Sequence, residues 1–226
     1  MAPARLGHRQ IAALTSALAL LLLVLVVARW SPLMSLDAAV SGGLHRAAVA
    51  APRWTRGNRV LSDWVWDPWT MRALLAGAVW WLVRRGERLL GIWVAATALA
   101  GTALQQGLKA VVGRGRPVWP DPVDTARYAA FPSGHAMSVL VAGALALWLL
   151  RLHGARPWWR WTAGTMVAVS AAGVGFTRVF LGVHWPSDVV GGWLLGGAVV
   201  AGAAYGYTAY GRRVAASGPQ HPGGHR

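Results

Sequence analysis

The sequence predicts an all-α fold: a polytopic membrane protein whose six transmembrane helices form one bundle. Three observations carry this. Of 226 residues, 55% are apolar and only 13% are charged, against roughly 25% charged in an ordinary soluble domain. The apolar residues fall into long runs separated by short basic clusters, the pattern of spans joined by membrane-flanking loops. Fifteen tryptophans point the same way, because Trp is enriched where a chain crosses the membrane–water boundary. The length suits a single membrane-embedded domain over 1–226, with its core over about 11–210.

The first element is Ile11 to Ala28, an apolar run interrupted only by Thr15 and Ser16. As a helix it reaches about 27 Å, close to the hydrocarbon thickness of a bilayer. Arg5, His8 and Arg9 precede it, so a signal peptide competes with a retained span. The run is longer than a signal's apolar region, and no small-x-small cleavage site precedes Arg29, which favours the retained span. Leu33 to Arg59 carries Asp37, His45 and four arginines and is not a span. Leu33, Leu36, Val40, Leu44 and Ala47 recur at helical spacing, so a helix lying in the interface is expected, weakened at Gly42-Gly43. Asp67-Pro68 marks the start of the second span, with Asp as cap and Pro in the first turn. It runs about 24 Å to Val83, with Arg72 snorkelling.

Leu89 to Leu108 is the third span and ends in Gln105 and Gln106. Ser133 to Leu150, Trp161 to Thr177 and Val189 to Tyr210 supply the remaining three. In the last, Gly192/Gly196 and Gly202/Gly206 have the small-xxx-small spacing that permits close helix packing. Simple composition explains the same glycines equally well. Residues 211–226 are expected to form a disordered tail, Gly/Pro/His-rich from Ser217 onward. Basic residues divide evenly between the two sets of loops. The short inner loops, and the assignment of several outer cations to a chemical motif, place both termini in the cytoplasm.

The formal charge is +15, large enough to raise nucleic-acid binding. The arginines form no continuous basic face, so the expected partner is the bilayer and not nucleic acid. Cysteine is absent, which excludes disulfides, thiolate metal sites and cysteine nucleophiles.

Three outer segments hold nearly all the unusual polar residues: Lys109 to Pro117, Phe131 to His135, and Thr177 to Asp188. The topology puts all three on one face. Singly, Lys109, Arg116 and Arg178 read as lipid-headgroup anchors. Together with two histidines and a carboxylate they read as a phosphoryl pocket, since Arg forks match phosphate oxygens and Lys adds a compact charge. Ser133 and Gly134 open a helix, where free N–H groups favour an anion; Ser133 also suits an ordinary cap. Asp188 lies one turn beyond His184 and can accept its Nδ1–H, aiming Nε2 outward. Asp188 would equally favour the helix dipole. His135 supplies a second imidazole, one to attack and one to protonate a leaving oxygen. His8, His45, His153, His221 and His225 are given no catalytic role. Two His and one Asp could ligate a metal, but three cations oppose it, so no metal or cofactor is expected.

These segments resemble the signature motifs of the type 2 phosphatidic acid phosphatase superfamily: K-x6-R-P at Lys109 to Pro117, P-S-G-H at Pro132 to His135, and S-R-x5-H-x3-D at Thr177 to Asp188, with Thr177 where Ser is usual. Six spans with this motif placement resemble its membrane-bound bacterial branch. The resemblance implies metal-independent hydrolysis of a lipid phosphomonoester or pyrophosphate on the extracytoplasmic face. His184 would form a phosphohistidine, oriented by Asp188. His135 would serve the leaving oxygen and then water. Lys109, Arg116, Ser133, Gly134 and Arg178 would hold the phosphoryl oxygens. Undecaprenyl pyrophosphate, phosphatidic acid and phosphatidylglycerol phosphate are the implied substrates. A lipid phosphotransferase and a non-enzymatic headgroup-binding protein are the rivals. Oligomeric state is not readable.

Overall fold

A computed structural model of the chain, described over residues 7–217, is helical throughout, with no strand among the described residues. The helices are α1 (His8–Val27), α2 (Ser31–Ala50), α3 (Pro52–Val60), α4 (Pro68–Arg84), α5 (Arg88–Val112), α6 (Gly134–Leu152), α7 (Pro157–Phe180) and α8 (Pro186–Ala216). A wide helical turn, Leu61–Val65, continues α3. Proline sits in the first turn of α2, α3, α4, α7 and α8, where its missing N–H has no intrahelical partner to lose. Asp67 caps α4, its Oδ1 accepting the Trp69 N–H at 2.8 Å, as the sequence predicts. Gly113, at φ 57°, ends α5 in the left-handed conformation that favours glycine.

Five helices are long and apolar enough to cross a membrane: α1, α5, α6, α7 and α8. Helices α5, α7 and α8 contain their expected apolar runs and extend past both ends, because backbone hydrogen bonding does not stop where the side chains become polar; α1 stops one residue short of its expected end and α6 starts one residue late, and each extends past the other end. The expected sixth, α4, has 17 residues, short of that group. Of the tail expected at 211–226, residues 211–216 are helical instead, as part of α8, which runs to Ala216; 218–226 lie outside the described residues.

The helix α8 packs against α1 on one side and α6 on the other. The main core lies between α4, α5, α6 and α8 and is built on Leu82, Leu90, Val94, Val141, Leu145 and Val200. The two readings of the α8 glycines separate here. A Cβ on Gly192 would stand 2.7 Å from the Ser133 carbonyl oxygen, and one on Gly196 would stand 3.2 Å from that of Met137. Gly202 meets nothing within 4 Å. The first pair seats α6 on α8, while Gly202 has no packing role.

The helix expected from the spacing of Leu33 to Ala47 is α2. It is continuous through Gly42 and Gly43, and the face it buries is polar: Asp37, Ser41 and His45, with Ala48. Leu36 and Val40, part of the apolar stripe that marked an interfacial helix, are exposed. The helix packs on α7 and α8 with its polarity inverted relative to a soluble helix. Apolar side chains facing outward and ionisable ones inward is the arrangement hydrocarbon surroundings impose.

Candidate active site

The three motif segments meet at one end of the bundle. Lys109 comes from the last turn of α5, Arg116 from the 113–133 connection, Ser133, Gly134 and His135 from the start of α6, Arg178 from the end of α7, His184 from the turn at 181–185, and Asp188 from the first turn of α8. The α6 and α8 starts are tied by a backbone bond, the Ser133 N–H donating to the Asp188 carbonyl at 2.9 Å. The 181–185 turn is held by its Val183 and His184 N–H groups on the Arg178 carbonyl and by the Trp119 indole N–H, which donates to the Gly182 carbonyl at 2.9 Å. Gly182 has φ 71°, and a Cβ there would lie 2.5 Å from the same indole nitrogen, so no other residue fits.

Lys109, Arg116, Gly134, His135, Arg178 and His184 line one cavity of about 290 Å³. Ser133 and Asp188 sit behind it, both 0% exposed. Every residue singled out from the sequence is therefore at this place.

His184 is buried, its Nδ1 3.3 Å from Asp188 Oδ2 and its Nε2 3.1 Å from Arg116 Nη1. An ionised carboxylate only accepts and a guanidinium only donates. The pair of contacts therefore assigns the ring proton to Nδ1 and leaves the Nε2 lone pair facing the cavity. Burial, and after it the charges of Arg116, Arg178 and Lys109, hold this imidazole well below its ordinary value, so it is neutral at pH 7. His135 lines the same cavity, its Nε2 3.9 Å from Asp67 Oδ2.

The cations are braced by backbone carbonyls. Arg116 donates through Nε to the Tyr128 carbonyl at 2.9 Å and through Nη2 to that of Arg127 at 3.0 Å. Lys109 Nζ donates to the Ala129 carbonyl. Arg178 Nη1 donates to Ser62 Oγ at 2.7 Å. Two buried polar atoms at the site, Ser133 Oγ and Arg178 Nε, have no hydrogen-bond partner among the described residues. Buried donors are almost always paired, so two orphans beside three cations and a helix N-terminus describe a receptor for an anion with several oxygens. Among the described residues no group of three His, Cys, Asp or Glu is placed to hold a metal ion.

Sequence reasoning missed Arg114, Asp37 and Ser187. Arg114 Nη1 donates to Asp188 Oδ1 at 2.7 Å and to Ser187 Oγ at 2.6 Å, and its Nη2 donates to Asp37 Oδ2 at 2.7 Å. Arg114 fell among the unspecified positions between Lys109 and Arg116. The available signal was scarcity: Asp37 is one of seven acidic residues, and it sits in an otherwise uncharged stretch.

An all-helical multi-pass membrane protein with an anion cavity faced by two imidazoles defines the class. The PAP2 superfamily model matches residues 90–212, and the chain belongs to that superfamily. It is 34% identical over 143 residues to an undecaprenyl-diphosphatase of Sulfolobus acidocaldarius, a match covering 59% of each protein, so the chain spans about three-fifths of that relative's length. Its fold is that of a transmembrane PAP2-type phosphatidylglycerolphosphate phosphatase crystallised from Bacillus subtilis, with a TM-score of 0.66 and 24% identity, covering 87% of this chain and 96% of that one.

Proposed function

We propose that the protein is a membrane lipid phosphatase that hydrolyses a lipid pyrophosphate or phosphomonoester through a phosphohistidine, without a metal ion. The observation that carries this is the cavity itself: two imidazoles lining it, three braced cations, and two buried donors left unpaired. Headgroup binding alone needs neither the histidines nor Asp188. The similarity to an undecaprenyl-diphosphatase supports a prenyl diphosphate as the first substrate to test.

In this reading the phosphoryl oxygens take the Arg178, Arg116 and Lys109 donors, the Ser133 hydroxyl and the Gly134 N–H. The incoming group draws Arg116 off the His184 lone pair. The same anion offsets the cations around His135 and lets that ring take up a proton; Nε2 then attacks phosphorus in line, the bond to the leaving oxygen breaks, and His135 delivers this proton to that oxygen. Asp188 holds the Nδ1 proton as the ring gains charge. His135, now neutral, takes a proton from water, whose oxygen attacks phosphorus and breaks the N–P bond. Phosphate leaves and both rings return to their starting state. The cations serve the charge that spreads over the equatorial oxygens.

The bilayer arrangement belongs to the same proposal. Helix α4 is the sixth span: its 17 residues reach about 25 Å, and tryptophans mark both its ends, Trp69 beneath the Arg72 guanidinium and Trp80 and Trp81 beneath Arg84 and Arg85. Both termini are cytoplasmic and the cavity opens on the outer face, where the substrate headgroup enters while its tail stays between helices.

Purified protein in detergent with a chelator present is expected to release phosphate from undecaprenyl diphosphate, phosphatidic acid or phosphatidylglycerol phosphate. His184→Ala is expected to abolish this release. Strict dependence on added Mg²⁺, or substantial turnover by the variant, counts against the proposal. An acceptor lipid in the same assay, searched for transferred phosphate, separates hydrolysis from phosphotransfer.

A further inference from the structure

The buried residues Asp37, Arg114 and Ser187 form a closed polar cluster that touches the reacting pair from behind. Asp37 stands on α2, 1% exposed, and its carboxylate serves the start of α8 from outside that helix. Oδ1 accepts the Ser187 N–H at 3.0 Å, and Oδ2 accepts the Ser187 hydroxyl and Arg114 Nη2. The Ser187 N–H is one of the donors a helix start leaves without an intrahelical partner, so Asp37 caps α8 in trans. Arg114 is thereby forked between two carboxylates, each at 2.7 Å, with its own side chain only 11% exposed. Its Cζ lies 5.8 Å from the centroid of the Trp185 ring.

Asp188 is held at both oxygens. Oδ1 takes Arg114, while Oδ2 takes the Trp185 N–H at 2.9 Å and His184 Nδ1 at 3.3 Å. A fully buried carboxylate needs a partner charge, and Arg114 is that charge. A carboxylate pinned through one oxygen has little freedom to rotate about its own bond, so the Arg114 contact sets the direction in which the other oxygen meets the imidazole. Asp37 in turn fixes Arg114. Without it the guanidinium is held through Nη1 alone, on Asp188 and Ser187, and lies two positions from Arg116, beside a cavity built to attract its kind of charge to an anion. Lys109, Arg116 and Arg178 face the phosphoryl site; Arg114, from the same segment, faces away because both its forks are engaged.

We propose that Asp37 and Arg114 are positioning residues that aim Asp188, and through it the attacking nitrogen of His184. This rests on the reading of the cavity as a phosphatase site. Neither residue touches substrate. The ordering runs from α2 through the 113–133 connection to α8, joining a helix outside the signature motifs to the reacting pair.

The test uses the full chain in detergent, with Asp37→Asn and Arg114→Lys made singly and each combined with Asp188→Asn. Phosphate release from undecaprenyl diphosphate gives kcat and KM, and inorganic phosphate as competitor reports the anion cavity. The single variants are expected to lose about 10- to 100-fold in kcat, the scale of a misaimed reacting group. KM and the inhibition constant for phosphate should hold within about threefold, as for an interaction realised only in the transition state. In the Asp188→Asn background neither substitution should cost anything further, because its effect runs through Asp188. A second readout does not depend on turnover: the His184 Nδ1–H resonance in ¹⁵N-histidine protein is expected to shift in both single variants. Losses that multiply with Asp188→Asn, kcat above half of wild type, a weakened phosphate inhibition, or an unchanged Nδ1–H resonance each overturn the proposal. Failure of the phosphatase reading appears separately, as a wild type silent on every lipid phosphate.

Discussion

His184 is enclosed by Asp188 on one ring nitrogen and Arg116 on the other, and its burial beside three cations keeps it uncharged. The consequence for pH has a definite sign. An unfolded imidazole takes up a proton near about 6.5, whereas this one does so only at lower pH. The neutral ring's contribution to stability is therefore present above that value and is lost as the pH falls through the lowered one. In ¹⁵N spectra of labelled protein, His184 is expected to keep the neutral Nδ1–H tautomer at pH 6; a titration midpoint at or above 6.5 would refute the electrostatic account. The residues that could be read from the sequence at this scale were those whose chemistry is rare in an apolar chain. Lys109, Arg116, Arg178, His135, His184 and Asp188 all lie around the cavity or directly behind it. Arg114 escaped because its partners are 74 and 77 positions away, and pattern spacing carries no information about a contact made only in three dimensions.

Helices were legible by length, apolarity and periodicity, but the face they bury was not. The apolar stripe of α2 marked an interfacial helix, and a helix forms there. The stripe gave no sign that Asp37, Ser41 and His45 take the inside. The α8 glycines show a similar limit: identical spacing, two different outcomes. Gly192→Ala would force a methyl to within 2.7 Å of the Ser133 carbonyl and is expected to lower stability by about 1–3 kcal/mol, the usual range for overpacking, with loss of activity as α6 shifts. Gly202→Ala meets open space and is expected to stabilise by about 0.5–1 kcal/mol, the helix-interior cost of glycine. Thermal unfolding of both variants in detergent checks the contrast; equal midpoints would remove the packing role of Gly192.

For the whole molecule, a likeness at 24% identity with a TM-score of 0.66 reflects helix packing that many sequences satisfy, with the site supplied by a few side chains at one end. That end carries exposed Trp30, Trp54, Trp64 and Trp69, and the opposite end exposed Trp80, Trp81, Trp158, Trp159 and Trp161, two girdles suited to the two headgroup zones. The absence of cysteine makes orientation directly measurable. Tyr128, 87% exposed beside the cavity, is the outer probe, and Arg156, exposed in the α6–α7 turn, the inner one. In intact cells an impermeant maleimide is expected to label Tyr128→Cys and to reach Arg156→Cys only after lysis; the opposite pattern would invert the proposed topology.

The superfamily match begins at residue 90, yet the trans cap on α8 comes from Asp37. A fragment trimmed to its signature letters would preserve every recognisable motif while removing the carboxylate that holds Arg114 Nη2. If Asp37 positions Asp188 as proposed, the smallest working unit is larger than the diagnostic stretch and reaches back to a helix with no motif of its own.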